Sequence, residues 1–522
     1  MGLNKKNIFL NLLIATVIFL VACSSDSSES NNNSGSSNKG PLKVAVDAPP
    51  STLDIPVTTS THAQDIGRLI FEGLVTIDSD FQPVPMLAES IETDDNKTYI
   101  FNLRQGIKFH NGKEMIAEDV VASMERWMEK SSITGTIFND ATWSAVDDHT
   151  VLLELKEASL LVLDTLSSLK QAAAIMPKEI VESAPAEGIE EYIGTGPYQL
   201  EEWKQDQYIH LKKYEDYQSL DMEASGFSGK REALIEEIYF YMVPDPSTRL
   251  SGLQTGEYDY AYGIQFDDYE QLQNDPDMET LLVPTSNNLL GFNKVEGIAS
   301  NFEFRQIINT ALDADAIMLA GYPHEDFYWL DPGYMDVNVK TWASDARSEY
   351  YNQNDPEKAK QMLEDIGYNG EEFRILATRD IFPMYNQGVV IQEQLKQIGI
   401  NATLEVYDWA GFIKKRDDLS AWDAFVSDSG TVSTPTQLNA LSSTWAGGVN
   451  DDKVGETLRA IEVSPTIEEA KALWDELQLY AYEELLPIVH LGGNNMIYAY
   501  HKKLENVKAT SRPIFWNITI SE

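Results

Sequence analysis

The chain has a single cysteine, Cys23, and this limits how the rest of it can be held together. No disulfide can form within a chain that has one thiol, so the fold must depend on its hydrophobic core. Cys23 follows an apolar run over residues 8–22 and precedes a tract of serine, asparagine and glycine over residues 24–39. Such a tract has too few apolar side chains to pack and is predicted to be flexible. The folded body should therefore begin near residue 40.

The start of the chain has the pattern of a secretory signal. Lys5 and Lys6 precede the apolar run, which is too short for a membrane span. Residues 20–23 (LVAC) resemble the bacterial lipobox. This resemblance implies a lipoprotein signal peptide over 1–22, lipidation of Cys23 and a flexible tether over 23–40. The body would then be extracytoplasmic and anchored to the cell membrane through lipid. The alternative is a buried cysteine behind an ordinary signal peptide.

Length and charge limit the classes of protein to consider. About 480 residues follow the tether, which is enough for two or more domains. The formal net charge of the chain is -44. A surface this acidic repels phosphate groups, so nucleic acid is excluded as an expected partner. The simplest role of the acidity is solubility.

The body is predicted to be α/β. Residues 41–49 (PLKVAVDAP) alternate apolar and polar side chains as a half-buried strand does. A helix is expected over 117–130, with an apolar face. Asp355 is a candidate N-cap, with Pro356 at the first helical position. Further strands at 373–377 and 402–406 flank a helix around 389–398, a rhythm typical of a sheet covered by helices.

Catalytic motifs are absent from the sequence. The chain contains no H-E-x-x-H pair, no G-x-S-x-G elbow and no Walker A loop. Its histidines are scattered, at His62, His110, His149, His210, His324, His490 and His501. The sequence therefore predicts no catalytic residue, no metal site and no cofactor, and the protein is not expected to be an enzyme.

Ordered segments along the body carry a resemblance to a known family. They are 51–56 (STLDIP), 69–126, 194–203 (GTGPYQLEEW), 252–260 (GLQTGEYDY), 304–318, 355–368 and 405–412 (EVYDWAGF). Together and in this order they resemble the family 5 extracellular solute-binding proteins, which are receptors of peptide and nickel ABC importers.

The resemblance implies a class II periplasmic-binding-protein-like clamp of two lobes, with an extra subdomain in the N-terminal lobe. The expected boundaries are 41–288 for the N-terminal lobe, 289–486 for the second lobe and 487–522 for the return. Ligand would be enclosed by hinge closure and delivered to an ABC permease and its ATPase.

The family resemblance indicates the ligand class less directly than it indicates the fold. Peptide-binding relatives commonly carry an aspartate that pairs with the peptide amino group, ahead of a proline that matches Pro435 here. In residues 420–437 that aspartate is missing, and Asp428 is the nearest acid. An oligopeptide or dipeptide is the expected ligand. The alternatives are a non-peptide solute such as a nickel chelate, a peptide or pheromone sensor on the same scaffold, and a secreted hydrolase.

Candidate ligand contacts come from both lobes. Aromatic platforms and polar side chains near the altered segment are the second-lobe candidates: Trp409, Trp422, Ser427, Asp428, Ser429 and Thr431. The other lobe would contribute Thr59 and Thr61, which follow the first strand, and Tyr198.

Overall fold

The computed structural model describes residues 40–135 and 137–521. The predicted signal peptide, the lipidation site Cys23 and the tether up to residue 39 lie outside the described residues. No helix within the described part of the chain is long and apolar enough to cross a membrane.

Strands are distributed along the whole body. They are β1 (Leu42–Val46), β2 (Val75–Ile77), β3 (Pro83–Pro85), β4 (Ala88–Glu92), β5 (Thr98–Leu103), β6 (Thr142–Asp147), β7 (Thr150–Glu154), β8 (Tyr198–Lys204), β9 (Tyr208–Lys213), β10 (Glu237–Met242), β11 (Tyr260–Ala261), β12 (Met278–Phe292), β13 (Tyr328–Trp329), β14 (Glu372–Thr378), β15 (Asn401–Tyr407), β16 (Ala424–Gly430), β17 (Ile488–His501), β18 (Leu504–Glu505), β19 (Lys508–Ala509), β20 (Pro513–Ile514) and β21 (Thr519–Ile520).

Helices alternate with these strands. They are α1 (Thr61–Ile70), α2 (Ala117–Lys130), α3 (Val162–Leu166), α4 (Lys178–Ser183), α5 (Pro246–Thr255), α6 (Tyr269–Gln273), α7 (Phe302–Ala311), α8 (Ala314–Gly321), α9 (Pro356–Asp365), α10 (Phe382–Gln397), α11 (Trp409–Arg416), α12 (Asp452–Glu462) and α13 (Ile467–Tyr480).

One sheet runs through both halves of the body. Its strand order is β15-β14-β16-β12-β17-β11-β1-β10-β9-β8, and β13 pairs with β17 off this path. We call the part around β1 and β8–β11 the first lobe, and the part around β14–β16 the second lobe. The long antiparallel strands β12 and β17 lie between them and belong to both. The predicted two-lobed α/β clamp is confirmed.

The pairing along β12 changes where the lobes meet. Residues 278–284 pair with 495–501 of β17, whereas residues 286–291 pair with β17 on one side and residues 286–292 pair with β16 on the other. The register shifts between Pro284 and Ser286, leaving Thr285 outside the ladder, and again between Asn288 and Leu289. Proline donates no backbone hydrogen bond, and a bulge lets a strand bend. The two connecting strands are therefore most deformable at the junction of the lobes.

A separate layer extends the first lobe. The four-stranded sheet β4-β5-β7-β6 is covered by α2, whose Trp127 is fully buried. This layer is the extra subdomain that the family resemblance implied. The same hydrophobic cluster also contains Trp422 and Trp474 of the second lobe. The exact domain boundaries at 288 and 486 stay predictions, although the chain does cross on β12 and return on β17.

Local sequence signals explain several elements. Helix α9 begins at Pro356, and the Asp355 carboxylate accepts the Lys358 backbone N–H at 2.9 Å, as a helix N-cap does. The chain turns after it at Gly367, whose φ of 70° favours glycine. The predicted strands at 373–377 and 402–406 lie within β14 and β15. The helix between them is α10, which begins earlier than the sequence predicted.

A buried ion pair joins the extra subdomain to the first lobe. Arg126 of α2 donates to both carboxylate oxygens of Asp54, and the distance from Nη1 to Oδ1 is 3.0 Å. The backbone N–H of Ile189 donates to Asp54 Oδ2 at 3.0 Å. Asp54 is completely buried. The carboxylate therefore depends on this arginine for its charge compensation.

We expect Arg126→Ala to lower the free energy of unfolding by about 3–5 kcal/mol, because it leaves a buried charge without its partner. Urea unfolding followed by circular dichroism measures this change. The matched control is Lys156→Ala, which removes an exposed pair with Asp140 at 2.9 Å and should have a much smaller effect. Equal losses in the two variants would contradict the role assigned to the buried pair.

Candidate functional site

A small cavity lies beside the junction of the two lobes. Its volume is about 30 Å³, which holds one or two water molecules. The residues that line it include Asn287 of β12, Asp428 and Ser429 of β16, His490 of β17, and Tyr334 and Asp336 from the loop after β13. The cavity is therefore built by the strands that join the lobes and by second-lobe residues beside them.

Polar side chains in this cavity lack hydrogen-bond partners. The unpartnered buried atoms are Asn287 Oδ1, Tyr334 Oη and His490 Nε2, within the described residues. Each of these side chains is more than nine-tenths buried. Buried polar atoms normally have partners, because an unmade hydrogen bond inside a protein is costly. These three atoms are therefore candidates for contact with a bound molecule.

The ring of His490 is held in one orientation. Its Nδ1 lies 2.8 Å from the backbone carbonyl of Asp331, so Nδ1 carries the proton and donates. The neutral ring then presents Nε2 as an acceptor. Burial, together with the nearby Arg347 charge, lowers the pKa of His490 to about 3. The cavity therefore holds an uncharged imidazole at neutral pH.

Two carboxylates give the cavity an acidic end. Asp336 is only 2% exposed, and its Oδ2 accepts the hydroxyl of Thr431 at 2.7 Å. Asp428 also lines the cavity, and Ser286 Oγ donates to its Oδ2 at 3.0 Å. Desolvation of the Asp428 carboxyl raises its pKa, although the hydrogen bond from Ser286 lowers it. A cationic group would compensate both carboxylates.

Contacts between the lobes close the space around the cavity. The backbone N–H of Leu160, in the first lobe, donates to the carbonyl of Glu462 at 2.8 Å. Gln82 Nε2 donates to Thr341 Oγ1 at 2.7 Å. Ion pairs join Lys340 to Asp80 and Arg459 to Glu157. These contacts hold the two lobes together, so the described conformation is closed.

Three of the predicted residues lie together at this place. Asp428 and Ser429 line the cavity, and Thr431 holds the Asp336 carboxylate. Ser427 is next to them on β16, but it is buried and does not line the cavity.

The other predicted residues lie elsewhere. Trp422 is fully buried, and its indole N–H donates to the Arg416 carbonyl at 3.0 Å. Tyr198 is also fully buried, within the hydrophobic core of the first lobe. We correct both predictions, because neither side chain has surface that a ligand could touch. Trp409 is 42% exposed and stacks on Phe412 at the start of α11, away from the cavity.

Thr59 and Thr61 lie at the start of α1 and line neither this cavity nor the other cavities found in the described residues. Their proposed contact with ligand stays a prediction. Within the same described ranges, no group of three or more histidine, cysteine, aspartate or glutamate side chains is arranged to hold a metal ion.

Sequence reasoning missed Asn287, Tyr334, Asp336 and His490. Two of them carried a usable signal, since Asn287 precedes the apolar run of β12 and His490 interrupts the apolar start of β17. A polar residue at a buried strand position needs a partner, and its presence favours a site. Asp336 and Tyr334 lie in a loop whose position only the tertiary fold determines.

Comparison with known proteins gives consistent matches. A sequence model described as bacterial extracellular solute-binding proteins, family 5 (Middle), matches residues 82–452. A probable peptide ABC transporter periplasmic-binding protein, y4tO of Sinorhizobium fredii, is 28% identical, over 90% of this chain and 91% of that protein. The oligopeptide-binding protein AppA of Bacillus subtilis is 25% identical, over 98% of this chain and 97% of AppA.

A solved structure matches over nearly the same span. It is the PBP AgaA of A. tumefaciens R10 in complex with agropinic acid, with a TM-score of 0.74 and 26% identity. The match covers 92% of this chain and 99% of AgaA.

We expect His490 to make stability depend on pH. Its pKa is about 3 in the folded protein and about 6.5 in an unfolded chain, so the unfolded state binds the proton first. Its contribution is complete above pH 6.5 and is lost as the pH falls, by about 2 kcal/mol at pH 5. Urea unfolding at pH 7 and pH 5 should show a smaller loss for His490→Gln than for the unmodified chain. Equal losses would contradict this assignment.

Proposed function

Because this chain belongs to the bacterial extracellular solute-binding proteins of family 5, we propose that it captures a peptide between its two lobes and delivers it to an ABC permease. The ligand is an oligopeptide or dipeptide, and the protein binds and releases it without chemical change. The observation that supports this most is the cavity at the lobe junction, where buried polar atoms lack partners.

The chemistry of the cavity suits a peptide. Asp336 and Asp428 offer negative charge to an amino group. Asn287 Oδ1 and His490 Nε2 are acceptors for peptide N–H groups, and Tyr334 Oη can donate to a peptide carbonyl. A peptide has all of these groups along a short backbone. The named relatives y4tO and AppA are described as peptide-binding proteins, which supports the same ligand class.

Hinge closure links binding to transport. A ligand that contacts both lobes binds the closed form more tightly than the open form and shifts the population toward it. The contacts between lobes, such as Leu160 to Glu462, form only when the lobes meet. The permease then receives a surface that exists only in the closed form.

We also propose that the protein is anchored to the outer face of the cell membrane. Lipidation of Cys23 anchors the chain to the membrane, and residues 23–40 let the body reach the permease. The partners are the permease, its ATPase and the captured solute. Mass spectrometry of the mature N-terminus tests this part, because an unmodified Cys23 would contradict it.

A non-peptide solute is the second candidate. The position that carries an aspartate in common peptide binders is changed in residues 427–434, and the solved structure of AgaA holds agropinic acid. The same clamp would then enclose a different small molecule at the same place.

The ligand class can be measured directly. We expect short peptides to be released when the purified full-length protein is denatured and its extract analysed by mass spectrometry. The same peptides, added back, should raise the melting temperature, since a molecule that binds only the folded state stabilises it. Release of a chelate, sugar or opine, with peptides inert, would contradict the peptide assignment and leave the clamp mechanism in place.

We expect Asp428→Asn to weaken binding of the identified peptide by about tenfold or more, because a charge-assisted hydrogen bond becomes a neutral one. Isothermal titration calorimetry measures this, and the melting temperature of the free protein should hardly change. The matched control is Asp417→Asn, an exposed acid of the same lobe outside the cavity. An equal loss of affinity in the control would contradict a direct role for Asp428.

A further inference from the structure

A groove on the extra subdomain is much larger than the cavity at the lobe junction. Its volume is about 610 Å³, and it lies between α2 and α4, with Ala145 of β6 and residues 184–186 at its sides. All of its lining residues lie within 118–186, on the first-lobe side of the body. The groove is therefore separate from the ligand cleft, and opening of the lobes does not divide it.

The floor of the groove is apolar, although the groove is open to solvent. Helix α2 already buries one apolar face, on which Val120, Met124 and Trp127 are completely buried. Val121 and Ala122 lie beside that face and are half-buried in the groove. The apolar lining from α4 and the segment after it consists of Val181, Ala184, Pro185 and Ala186. An apolar surface that the core does not use is typical of a place where another element packs.

The rim of the groove carries more negative than positive charge. Its exposed carboxylates are Glu118, Glu125, Glu129 and Glu182. The two lysines of the rim already pair with these glutamates: Lys178 Nζ lies 3.1 Å from Glu118 Oε2, and Lys130 Nζ lies 3.0 Å from Glu129 Oε1. The remaining negative charge complements a cationic partner.

Charge alone does not distinguish this groove, because the whole chain is acidic, with a net charge of -44. The distinguishing feature is an apolar floor inside an acidic rim. Arg126 also lines the groove, but its guanidinium pairs with the buried Asp54 carboxylate. A complementary partner therefore presents an apolar face with cations on both sides of it, which is the pattern of a basic amphipathic helix.

The dimensions of the groove fit a short helix. The lining residues of α2 run from Glu118 to Lys130, which is a length of about 18 Å at about 1.5 Å per residue. A helix of about three turns covers this length. Packed helices have axes about 8–10 Å apart, and small side chains such as Ala122 and Ala184 permit a close approach.

We propose that this α2–α4 groove is a docking site for a basic amphipathic helix of a partner protein. The apolar face of the helix packs on Val121, Ala122 and Val181. Its lysines or arginines pair with Glu125 and Glu182 on the rim. This surface is separate from the ligand cleft, so the inference does not depend on the ligand that the cleft binds.

The probe is a synthetic peptide of about 14 residues, with leucines at i, i+3, i+4 and i+7 spacing and lysines at the other positions. It is titrated into the purified full-length protein by calorimetry, and the heat of titration into buffer alone is subtracted. We expect one peptide to bind per chain. A counterpart with glutamate in place of lysine should not bind, because the rim repels it.

One variant separates docking in the groove from general attraction to an acidic protein. Val181→Asp removes part of the apolar floor and adds a negative charge. If the helix docks in the groove, this variant binds the peptide about tenfold more weakly, whereas attraction by charge alone makes it bind more tightly. Val121→Asp makes the same change from α2, so the test remains decisive if the first variant does not fold.

A charge reversal tests the rim. Glu125→Lys should weaken binding of the peptide by about fivefold or more at low salt. The matched control is Glu89→Lys, which changes an exposed acid of the same subdomain outside the groove and should bind as the unmodified chain does.

The contrary results are distinct. Equal or tighter binding by Val181→Asp would overturn the groove as the docking site, and so would an equal loss of affinity in Glu125→Lys and Glu89→Lys. Sedimentation of the unmodified chain provides the last comparison. If it forms a dimer that Val181→Asp abolishes, a second copy of the chain covers the groove and the assignment to a basic helix is wrong.

Discussion

The two-lobed body depends on the two strands that connect its lobes, β12 and β17. They are paired along most of their length, so one sheet runs through both lobes. The ladder between β12 and β17 is interrupted at Thr285. From the next residue onward, β12 also pairs with β16 of the second lobe. A continuous pair of strands keeps the lobes aligned, and a break in its register gives them a place to bend. The cavity lined by Asn287 and Asp428 lies beside this point.

Buried polar groups beside the junction lack hydrogen-bond partners. Asn287, Tyr334 and His490 each present one such atom. Each such group costs free energy in a closed, empty cleft. A ligand that supplies the missing hydrogen-bond partners removes this free-energy cost, and the gain contributes to its affinity. In our account, the same groups that favour opening in the free protein favour closure when a peptide is present.

Local parts of the fold were predictable from sequence, because local rules determine them. Helix α9 follows from Asp355 and Pro356, and strands β14 and β15 follow from their apolar pattern. The site was predictable only in part. Asp428 and Ser429 lie in the altered segment on β16 and line the cavity, and their contact with ligand stays a prediction, whereas Asp336 and His490 come from distant parts of the chain. Trp422 was predicted to contact ligand but lies in the core. Large aromatic residues occur both in binding sites and in cores, and only the packing of the fold distinguishes these positions.

The claim that peptide binding closes a two-lobed clamp can be tested most directly by small-angle X-ray scattering. The radius of gyration is measured for the protein freed of ligand by partial denaturation and refolding, and again after a bound peptide is added. We expect a larger radius of gyration for the free protein and a decrease on binding to the value calculated for the closed body. An unchanged radius, with binding verified by calorimetry in the same sample, would contradict closure as the basis of function.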